Sequence, residues 1–214
     1  MDELLGAQMG EESFAARYLE EASAVLARLD RDAIERMAAL LAEVRARDGR
    51  LFVLGVGGSA AHAGHAVNDF RKLCGFEAYA PTDNVAELTA RANDEGWETT
   101  FAAWLRGSRL AARDALLVFS VGGGDRERNV SPNLVAALTL AHEVGATILG
   151  IVGRDGGATA RLAEACVLVP TVEPSRVTPH TEGTCAVVWH LLVSHPALQT
   201  AGTKWEATVV EPTR

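Results

Sequence analysis

The chain has 214 residues, of which 48% are hydrophobic and 22% are charged, and its formal net charge is −8. This composition argues against a disordered chain and allows one substantial core, so we expect one α/β domain with an N-terminal helical extension. The acidic balance argues against nucleic acid as a partner. No apolar run approaches the ~20 residues that a membrane span needs, and the N-terminal residues lack a signal-peptide pattern, so we expect a cytoplasmic protein without a membrane partner.

Three cysteines are widely spaced in the sequence, at Cys74, Cys166 and Cys185. An odd number without a CxxC pair favours buried, reduced thiols over a disulfide framework. We therefore expect neither a thiolate zinc site nor a cysteine nucleophile.

The segment between residues 11 and 47 carries apolar side chains at helical spacing, with charged residues between them. We predict two helices that are broken near residues 29–32, where Asp30 or Asp32 caps the second helix. This N-terminal unit, residues 1–48, must cover another surface. It packs either on its own domain or on a neighbouring subunit, and the sequence leaves both possibilities open.

Residues 49–195 carry the signals of an α/β domain. Two units, each a buried strand, a loop of small residues and a helix, predict a three-layer, doubly wound and mostly parallel sheet of the flavodoxin-like type, with ligands at the carboxyl ends of the strands. The predicted strands are apolar runs at residues 51–54, 76–79, 115–119, 146–152 and 166–170. A polar loop is predicted over 89–97, and further helices are predicted through 101–110 and over 133–144, 159–164 and 180–195. Residues 196–214 form a polar tail in which Trp205 is a candidate for docking.

A glycine-rich loop, Gly55-Val56-Gly57-Gly58-Ser59, connects the first strand to an alanine-rich helix. Gly57 and Gly58 let the backbone approach a ligand closely, Ser59 can cap the helix, and the first-turn N–H groups offer an anion site. Together with Ser120 after the third strand, this pattern suits one phosphate monoester, and the alternative is two ordinary tight turns. The dinucleotide fingerprint is incomplete and no P-loop motif occurs, so neither nicotinamide nor ATP is implied.

His65 and Asp69 lie at positions i and i+4 of the helix that follows this loop, so both side chains leave one face. His180, Glu182 and His190 lie in or beside the last predicted helix. Two histidines and two carboxylates would suit zinc or a comparable divalent ion, whereas an isolated pair is an ordinary polar contact. Glu182 and His190 are separated by about 12 Å along an ideal helix, so both reach one ion only if their side chains converge or the helix begins irregularly.

These motifs together resemble the sugar isomerase (SIS) domain family, and specifically the phosphoheptose isomerases, between about residues 50 and 192. The resemblance rests on the G-x-G-G-S loop with His65 six residues after Ser59, on Asn93-Asp94 followed by Gly96, on the serine-bearing loop after the third strand, on G-R-D-G-G at 153–157, and on His190 in the last helix. It implies isomerisation of sedoheptulose 7-phosphate to an aldoheptose 7-phosphate, which feeds the biosynthesis of activated heptoses. It also implies a homotetramer with zinc-containing active sites near subunit boundaries.

Carried over by position, the resemblance implies roles for individual residues. His190 and Asp69 become the catalytic pair for proton transfer. The implied metal ligands are His65, Asp69, Glu182 and His190, and the implied substrate-binding residues are Gly57, Gly58, Ser59, Asn93, Asp94, Ser120 and Ser131. The remaining histidines expected on solvated or packing surfaces are His62, His142 and His195.

The predicted substrate site departs from the family pattern at several positions. These are Val56 in place of an asparagine, Val121-Gly122 in place of Thr-Ser, Pro179 in place of an aspartate, and a short insertion at 125–129. A basic side chain could replace the lost hydroxyl contacts to phosphate, and the candidates are Arg126, Arg128 and Lys72. Two hypotheses follow: a metal-dependent aldose–ketose isomerase, or a non-catalytic SIS module that binds a sugar phosphate or a protein partner.

Overall fold

The computed structural model describes residues 13–204. A five-stranded sheet lies at its centre, with the strand order β2-β1-β3-β4-β5, and every neighbouring pair is parallel. The strands are β1 (Leu51–Leu54), β2 (Ala78–Tyr79), β3 (Ala115–Ser120), β4 (Thr147–Val152) and β5 (Ala165–Leu168). The strand order reverses between β1 and β3, which is where doubly wound sheets bind their ligands.

The sheet separates two hydrophobic clusters, because successive side chains of a strand point to opposite faces. Along β1, Leu51 and Val53 belong to one cluster, whereas Phe52 and Leu54 belong to the other. The first face is covered by α1 (Phe14–Ala27), α2 (Arg31–Ala46), α3 (Gly58–Cys74) and α8 (Val177–Val193). The second is covered by α4 (Val85–Asp94), α5 (Thr100–Gly107), α6 (Pro132–Val144) and α7 (Gly157–Leu162). The predicted three-layer, doubly wound parallel fold is confirmed.

The two N-terminal helices are broken where the sequence predicts. Asp30 caps α2 by accepting a hydrogen bond from the Ala33 N–H, which satisfies one of the free donors at the helix start. Met37 and Leu41 of α2 are fully buried in the same cluster as the core residues of α3 and α8. The helix therefore packs on its own sheet domain, and a contribution to a subunit boundary stays a prediction.

The prediction of a polar loop over residues 89–97 is wrong, because residues Val85–Asp94 form the helix α4. Asn84 caps this helix by accepting from the Glu87 N–H. Arg91 forms ion pairs with Glu87 at 2.8 Å and with Glu95 at 3.4 Å, each one helical turn away. None of the side chains of α4 is fully buried, so the apolar periodicity that predicts a helix is weak here.

The starts of two helices, α3 and α8, bear on the predicted site residues. α3 begins at Gly58, after Gly57 with a left-handed φ of 62° and without a side-chain cap, so the prediction that Ser59 caps the helix is wrong. Ser59 lies in the first turn instead. α8 begins at Val177 rather than at residue 180, with Pro179 in its first turn, where the missing N–H costs no helical hydrogen bond.

All three cysteines are free thiols, as expected. Burial raises the pKa of the Cys74 and Cys166 thiols to about 11 and also raises the pKa of the Cys185 thiol. Such thiols stay protonated near neutral pH and are poor nucleophiles. None of the described helices has the length and apolar character of a membrane span. Trp205, the proposed docking residue of the tail, lies outside the described residues.

Candidate active site

Helices α3 and α8 lie side by side and run in the same direction. Near the start of both, the Glu182 carboxylate of α8 lies over Gly58 of α3, so closely that a Cβ added at Gly58 would be 2.6 Å from Glu182 Oε1. Further along both helices, Asp69 of α3 faces His190 of α8. The predicted site residues on these two helices therefore divide into a set at the helix starts and a set several turns later.

Three predicted residues come together in the later set: His65, Asp69 and His190. Asp69 Oδ2 lies 3.6 Å from His65 Nε2 and 3.9 Å from His190 Nε2, and all three ligand atoms lie within 4.8 Å of one another. The Asp69 side chain is 15% exposed, whereas the side chains of His65 and His190 are 57% and 51% exposed. The group is therefore supported by protein on the carboxylate side and open to solvent on the imidazole side.

Hydrogen bonds outside the group orient two of its members. Asn68 Nδ2 donates to Asp69 Oδ1 at 2.8 Å, which leaves Oδ2 facing the imidazoles. His190 Nδ1 lies 2.7 Å from the Ala186 carbonyl oxygen. Because a carbonyl oxygen only accepts, Nδ1 carries the hydrogen, and the lone pair of the neutral ring lies on Nε2. Contacts of this kind commonly fix the orientation of metal-binding side chains.

The donor atoms of this group fit a divalent metal such as zinc. Two imidazole nitrogens and one carboxylate oxygen are a common ligand set for catalytic zinc, with a fourth position left for water or substrate. Ligand atoms around a tetrahedral zinc ion lie roughly 3.3 Å apart, and the two measured separations from Asp69 Oδ2 are 3.6 and 3.9 Å. Small side-chain movements would therefore bring the three atoms to bonding distance.

Glu182 does not join this group in the described structure. α8 is a continuous helix from Val177 to Val193, so the separation along the helix keeps the Glu182 carboxylate near Gly58 and away from His190. The candidate ligand group within residues 13–204 is His65, Asp69 and His190. The role of Glu182 as a fourth metal ligand stays a prediction.

A cavity of about 460 Å³ lies at the start of α3 and α8, beside the carboxyl ends of β1, β3 and β4. It brings together the three serines predicted for phosphate binding, which are Ser59, Ser120 and Ser131. Ser120 Oγ accepts a hydrogen bond from the Gly123 N–H at 3.0 Å, and its own hydroxyl hydrogen remains available to a ligand. Val56 also lines the cavity and removes polarity from that wall.

Two arginines line this cavity. Arg128 belongs to the insertion and was one of the predicted candidates, whereas Arg154 follows β4 and was not singled out by the sequence. The other two candidates are elsewhere, since Arg126 lines a neighbouring cavity and Lys72 lies in the last turn of α3. The cavity thus offers both hydroxyl and guanidinium donors to an anion.

Three carboxylates also line the cavity, and two of them are occupied by backbone groups. Asp125 accepts from the N–H groups of Arg128 and Glu127, which lower the pKa of the Asp125 carboxyl, and Asp155 accepts from the Gly157 N–H. The third is Glu182, whose carboxylate accepts no such backbone hydrogen bond among the described residues. All three carboxylates repel an anion in this cavity, so the arginine and hydroxyl donors must outweigh them for an anion to bind.

Asn93 and Asp94 were predicted to bind substrate, but the structure does not bring them to the cavity. Both lie in the last turn of α4, where Asn93 Nδ2 donates to Asp94 Oδ1 at 2.7 Å. Neither residue lines the 460 Å³ cavity or belongs to the histidine–aspartate group. Their role in substrate binding stays a prediction.

His180 serves a different purpose from His190. Its Nε2 lies 2.8 Å from the Glu21 carboxylate of α1, and its ring stacks on Tyr18. Arg176 holds the same carboxylate with two hydrogen bonds, of 2.6 and 2.8 Å. These contacts bind α1 to the start of α8. His195 likewise contacts Glu35 of α2 at 3.1 Å, as expected for a packing surface.

The sequence did not identify three residues that the structure places at the site, namely Asn68, Arg154 and Trp189. Asn68 directly precedes Asp69, and Trp189 directly precedes His190. Because the side chains of adjacent helical residues usually point in different directions, nothing in the sequence indicated that Asn68 or Trp189 lies at the site. Arg154 could have been found, because it lies in the G-R-D-G-G segment after a strand, where ligands of parallel sheets bind.

Comparison with known proteins identifies relatives over most of the chain. A sequence profile of the SIS domain matches residues 17–153. Lincomycin biosynthesis protein LmbN of Streptomyces lincolnensis is 32% identical over 194 residues, which are 86% of this chain and 69% of that protein. The phosphoheptose isomerase of Solidesulfovibrio magneticus is 34% identical over 185 residues, which are 83% of this chain and 85% of that enzyme. The solved structure of the phosphoheptose isomerase GmhA from Neisseria gonorrhoeae superposes with a TM-score of 0.72 at 26% identity, covering 84% of this chain and 94% of that one.

Proposed function

This chain belongs to the SIS domain family and is an aldose–ketose isomerase of the phosphoheptose isomerase type, and we propose that it converts sedoheptulose 7-phosphate, or a related sugar phosphate, with the help of a divalent metal. The product would enter the biosynthesis of activated heptoses. One observation carries the proposal: a cavity with phosphate-binding chemistry and a histidine–aspartate group lie on the same two parallel helices.

The spacing of these two features supports a substrate of about seven carbons. Ser59 and His65 are six residues apart on α3, which corresponds to about 9 Å of helical rise. An extended seven-carbon sugar phosphate measures about 10 Å from C1 to phosphorus, at about 1.25 Å per bond along the chain. A phosphate held by Ser59 and Ser120 would therefore bring C1 and C2 to about the level of His65, whose ring lies near Asp69 and His190. A five-carbon substrate would fall short by about 2.5 Å.

The chemistry requires proton transfer between C1 and C2 through an enediol, for which a base and an acid must lie beside these carbons. Asp69 Oδ2 accepts the proton from carbon, since it points into the group while Oδ1 is occupied by Asn68. His190 Nε2 is the candidate for proton exchange with the substrate oxygen when it is not bound to the metal, and the Nδ1 contact to the Ala186 carbonyl holds the ring in place for this role. A bound divalent ion would polarise the carbonyl group and stabilise the developing oxyanion.

Exchange of a C1 proton of the ketose in deuterated water tests this function directly, because the ketose loses a C1 proton when the enediol forms. The full chain with added Zn²⁺ is mixed with sedoheptulose 7-phosphate or with a five-carbon ketose phosphate, and exchange is followed by NMR. We expect exchange with the seven-carbon substrate and at least ~10-fold lower kcat/KM with the shorter one, because the shorter chain loses either the phosphate contacts or the alignment at C1. Absence of exchange with every ketose phosphate tried refutes the isomerase. Retained sugar-phosphate binding without exchange would instead favour a non-catalytic module.

We also propose that the working form is a homotetramer. Large apolar side chains are exposed on α1 and on the face of α8 that carries His190, namely Phe14 (60%), Leu19 (67%), Leu26 (42%), Val187 (46%) and Leu191 (41%). A second copy of the chain that covers these residues would place a subunit boundary next to the active site. Light scattering on the purified chain measures the mass of the assembly, and a monomeric mass at micromolar concentration contradicts this part of the proposal.

A further inference from the structure

One buried aromatic side chain lies beneath the histidine–aspartate group. Trp189 is fully buried, and its ring stacks on the His190 ring with a centroid separation of 3.5 Å and an interplanar angle of 29°. The same indole contacts the His65 ring edge-to-face at 4.7 Å and 65°. The two imidazoles are 5.4 Å apart. A single side chain therefore contacts both candidate histidine ligands.

The indole nitrogen of Trp189 makes no contact that explains a tryptophan at this position. Trp189 Nε1 is buried and has no hydrogen-bond partner among the described residues. A buried donor without a partner is unfavourable, and a leucine or phenylalanine would fill an apolar core position without that cost. The feature that indole adds over these residues is its wide, flat surface, and this surface is where the two imidazoles lie.

His65 depends on this surface more than His190 does. The His190 ring is already held by its bond to the Ala186 carbonyl. In the described part of the chain, the ionic and ring contacts of His65 are with Asp69 at 3.6 Å, His190 and Trp189, and its side chain makes no hydrogen bond within 3.5 Å. Because the side chain of His65 is 57% exposed, removing the indole would free its ring to adopt other rotamers.

We propose that Trp189 is a positioning residue that holds the imidazoles of His65 and His190 with both Nε2 atoms toward Asp69, so that the metal ligands are arranged before the ion binds. This inference rests on the metal site of the proposed function. It predicts that Trp189 acts on metal affinity without itself touching the metal or the substrate, as residues behind metal ligands do.

Titration with Co²⁺ tests the inference with two spectroscopic readouts that need no enzyme activity. The full chain is stripped of metal with a chelator, and Co²⁺ binding is followed by its visible absorption and by quenching of tryptophan emission. We expect Co²⁺ to quench the wild-type emission in parallel with binding. Trp189→Phe should lose most of that quenching and bind Co²⁺ about 10-fold more weakly, and Trp189→Leu should bind 10- to 100-fold more weakly.

Trp104→Phe is the matched control, because Trp104 packs edge-on against Phe52 on the other face of the sheet. This variant should keep the wild-type Co²⁺ affinity and the quenching amplitude. Trp189→Phe keeps an aromatic ring in the core and covers the case in which Trp189→Leu fails to fold. Wild-type Co²⁺ affinity in a folded Trp189→Phe or Trp189→Leu variant refutes the positioning role and leaves the isomerase proposal standing. Absence of Co²⁺ binding by the wild-type chain refutes the metal site and the inference with it.

Discussion

The 460 Å³ cavity and the histidine–aspartate group lie on the same two helices but are built from different kinds of structure. Loops after β1, β3 and β4 form much of the cavity, and these loops contain Val56, Val121 and Gly122, three positions that are expected to depart from the family pattern. The group is built within regular turns of α3 and α8, with supporting contacts from Asn68 and Ala186. Loops accept insertions and substitutions more readily than packed helices. Under the proposed function, the helical end of the site carries the proton transfer and the loop end holds the substrate.

The largest effect is expected at the helical end of the site. His190→Ala removes the proposed proton-transfer group and one candidate metal ligand, so turnover should fall by at least ~10³-fold, while the melting temperature changes little because His190 is half exposed. Proton exchange by NMR and thermal unfolding measure the two quantities. His62→Ala is the control, since His62 lies on the same helix as His65 but outside the group. Near-normal turnover in a folded His190→Ala variant would show that the acid–base assignment is wrong.

An intermediate effect is expected at the loop end. Arg154→Ala removes a guanidinium from the cavity wall and should raise KM about 10-fold with kcat changed by less than about 2-fold, because this contact to phosphate is the same in ground and transition states. Arg126→Ala, in the neighbouring cavity, should leave both constants unchanged. Steady-state kinetics of both variants, at low and at high salt, measure KM and kcat. If kcat falls as much as kcat/KM, Arg154 acts on the chemical step. The proposal that the cavity binds the substrate while the helices carry the chemistry would then be wrong.

The smallest effect on turnover is expected for the contacts that join α1 to α8. Hydrogen bonds from Arg176 and His180 lower the pKa of the Glu21 carboxyl from 4.5 to about 2. A carboxyl with a lowered pKa in the folded state stabilises the fold fully above its unfolded pKa, and this contribution is lost as the pH falls through the folded value. Glu21→Gln should therefore lower the melting temperature at pH 7 and leave kcat unchanged.

The pH dependence of stability checks this interpretation. The difference in melting temperature between wild type and Glu21→Gln should shrink between about pH 4.5 and pH 2. Glu20→Gln, at an exposed neighbouring position, should show no such dependence. A difference that is constant across this pH range would mean that Glu21 contributes through packing and not through its charge.

Much of the fold could be predicted because buried parallel strands leave short apolar runs in the sequence. The run at 115–119 corresponds to β3, and the one at 51–54 corresponds to β1. α4 could not be predicted in this way, because it is stabilised by its Asn84 cap and by ion pairs of Arg91, and it buries no side chain completely. Periodicity detects burial, so a helix held together by surface contacts escapes it.

The candidate site was predictable where spacing along one helix decides proximity. His65 and Asp69 share a face of α3 because they are four residues apart, and the structure places both beside His190. Spacing could not show which turn of α8 lies next to which turn of α3. In the structure the start of α8 lies against Gly58 of α3, so His190 lies beside Asp69, while Glu182, about two turns earlier in α8, does not.

The parallel direction of α3 and α8 has an electrostatic consequence for a substrate that lies along them. Each helix carries a partial positive charge at its first turn and a partial negative charge at its last turn. Both positive ends lie at the cavity with Ser59, whereas His190 lies in the last turn of α8. The backbone field therefore favours an anion at one end of the substrate and a cation at the other. A sugar phosphate would be oriented by this field even before any side chain contacts it.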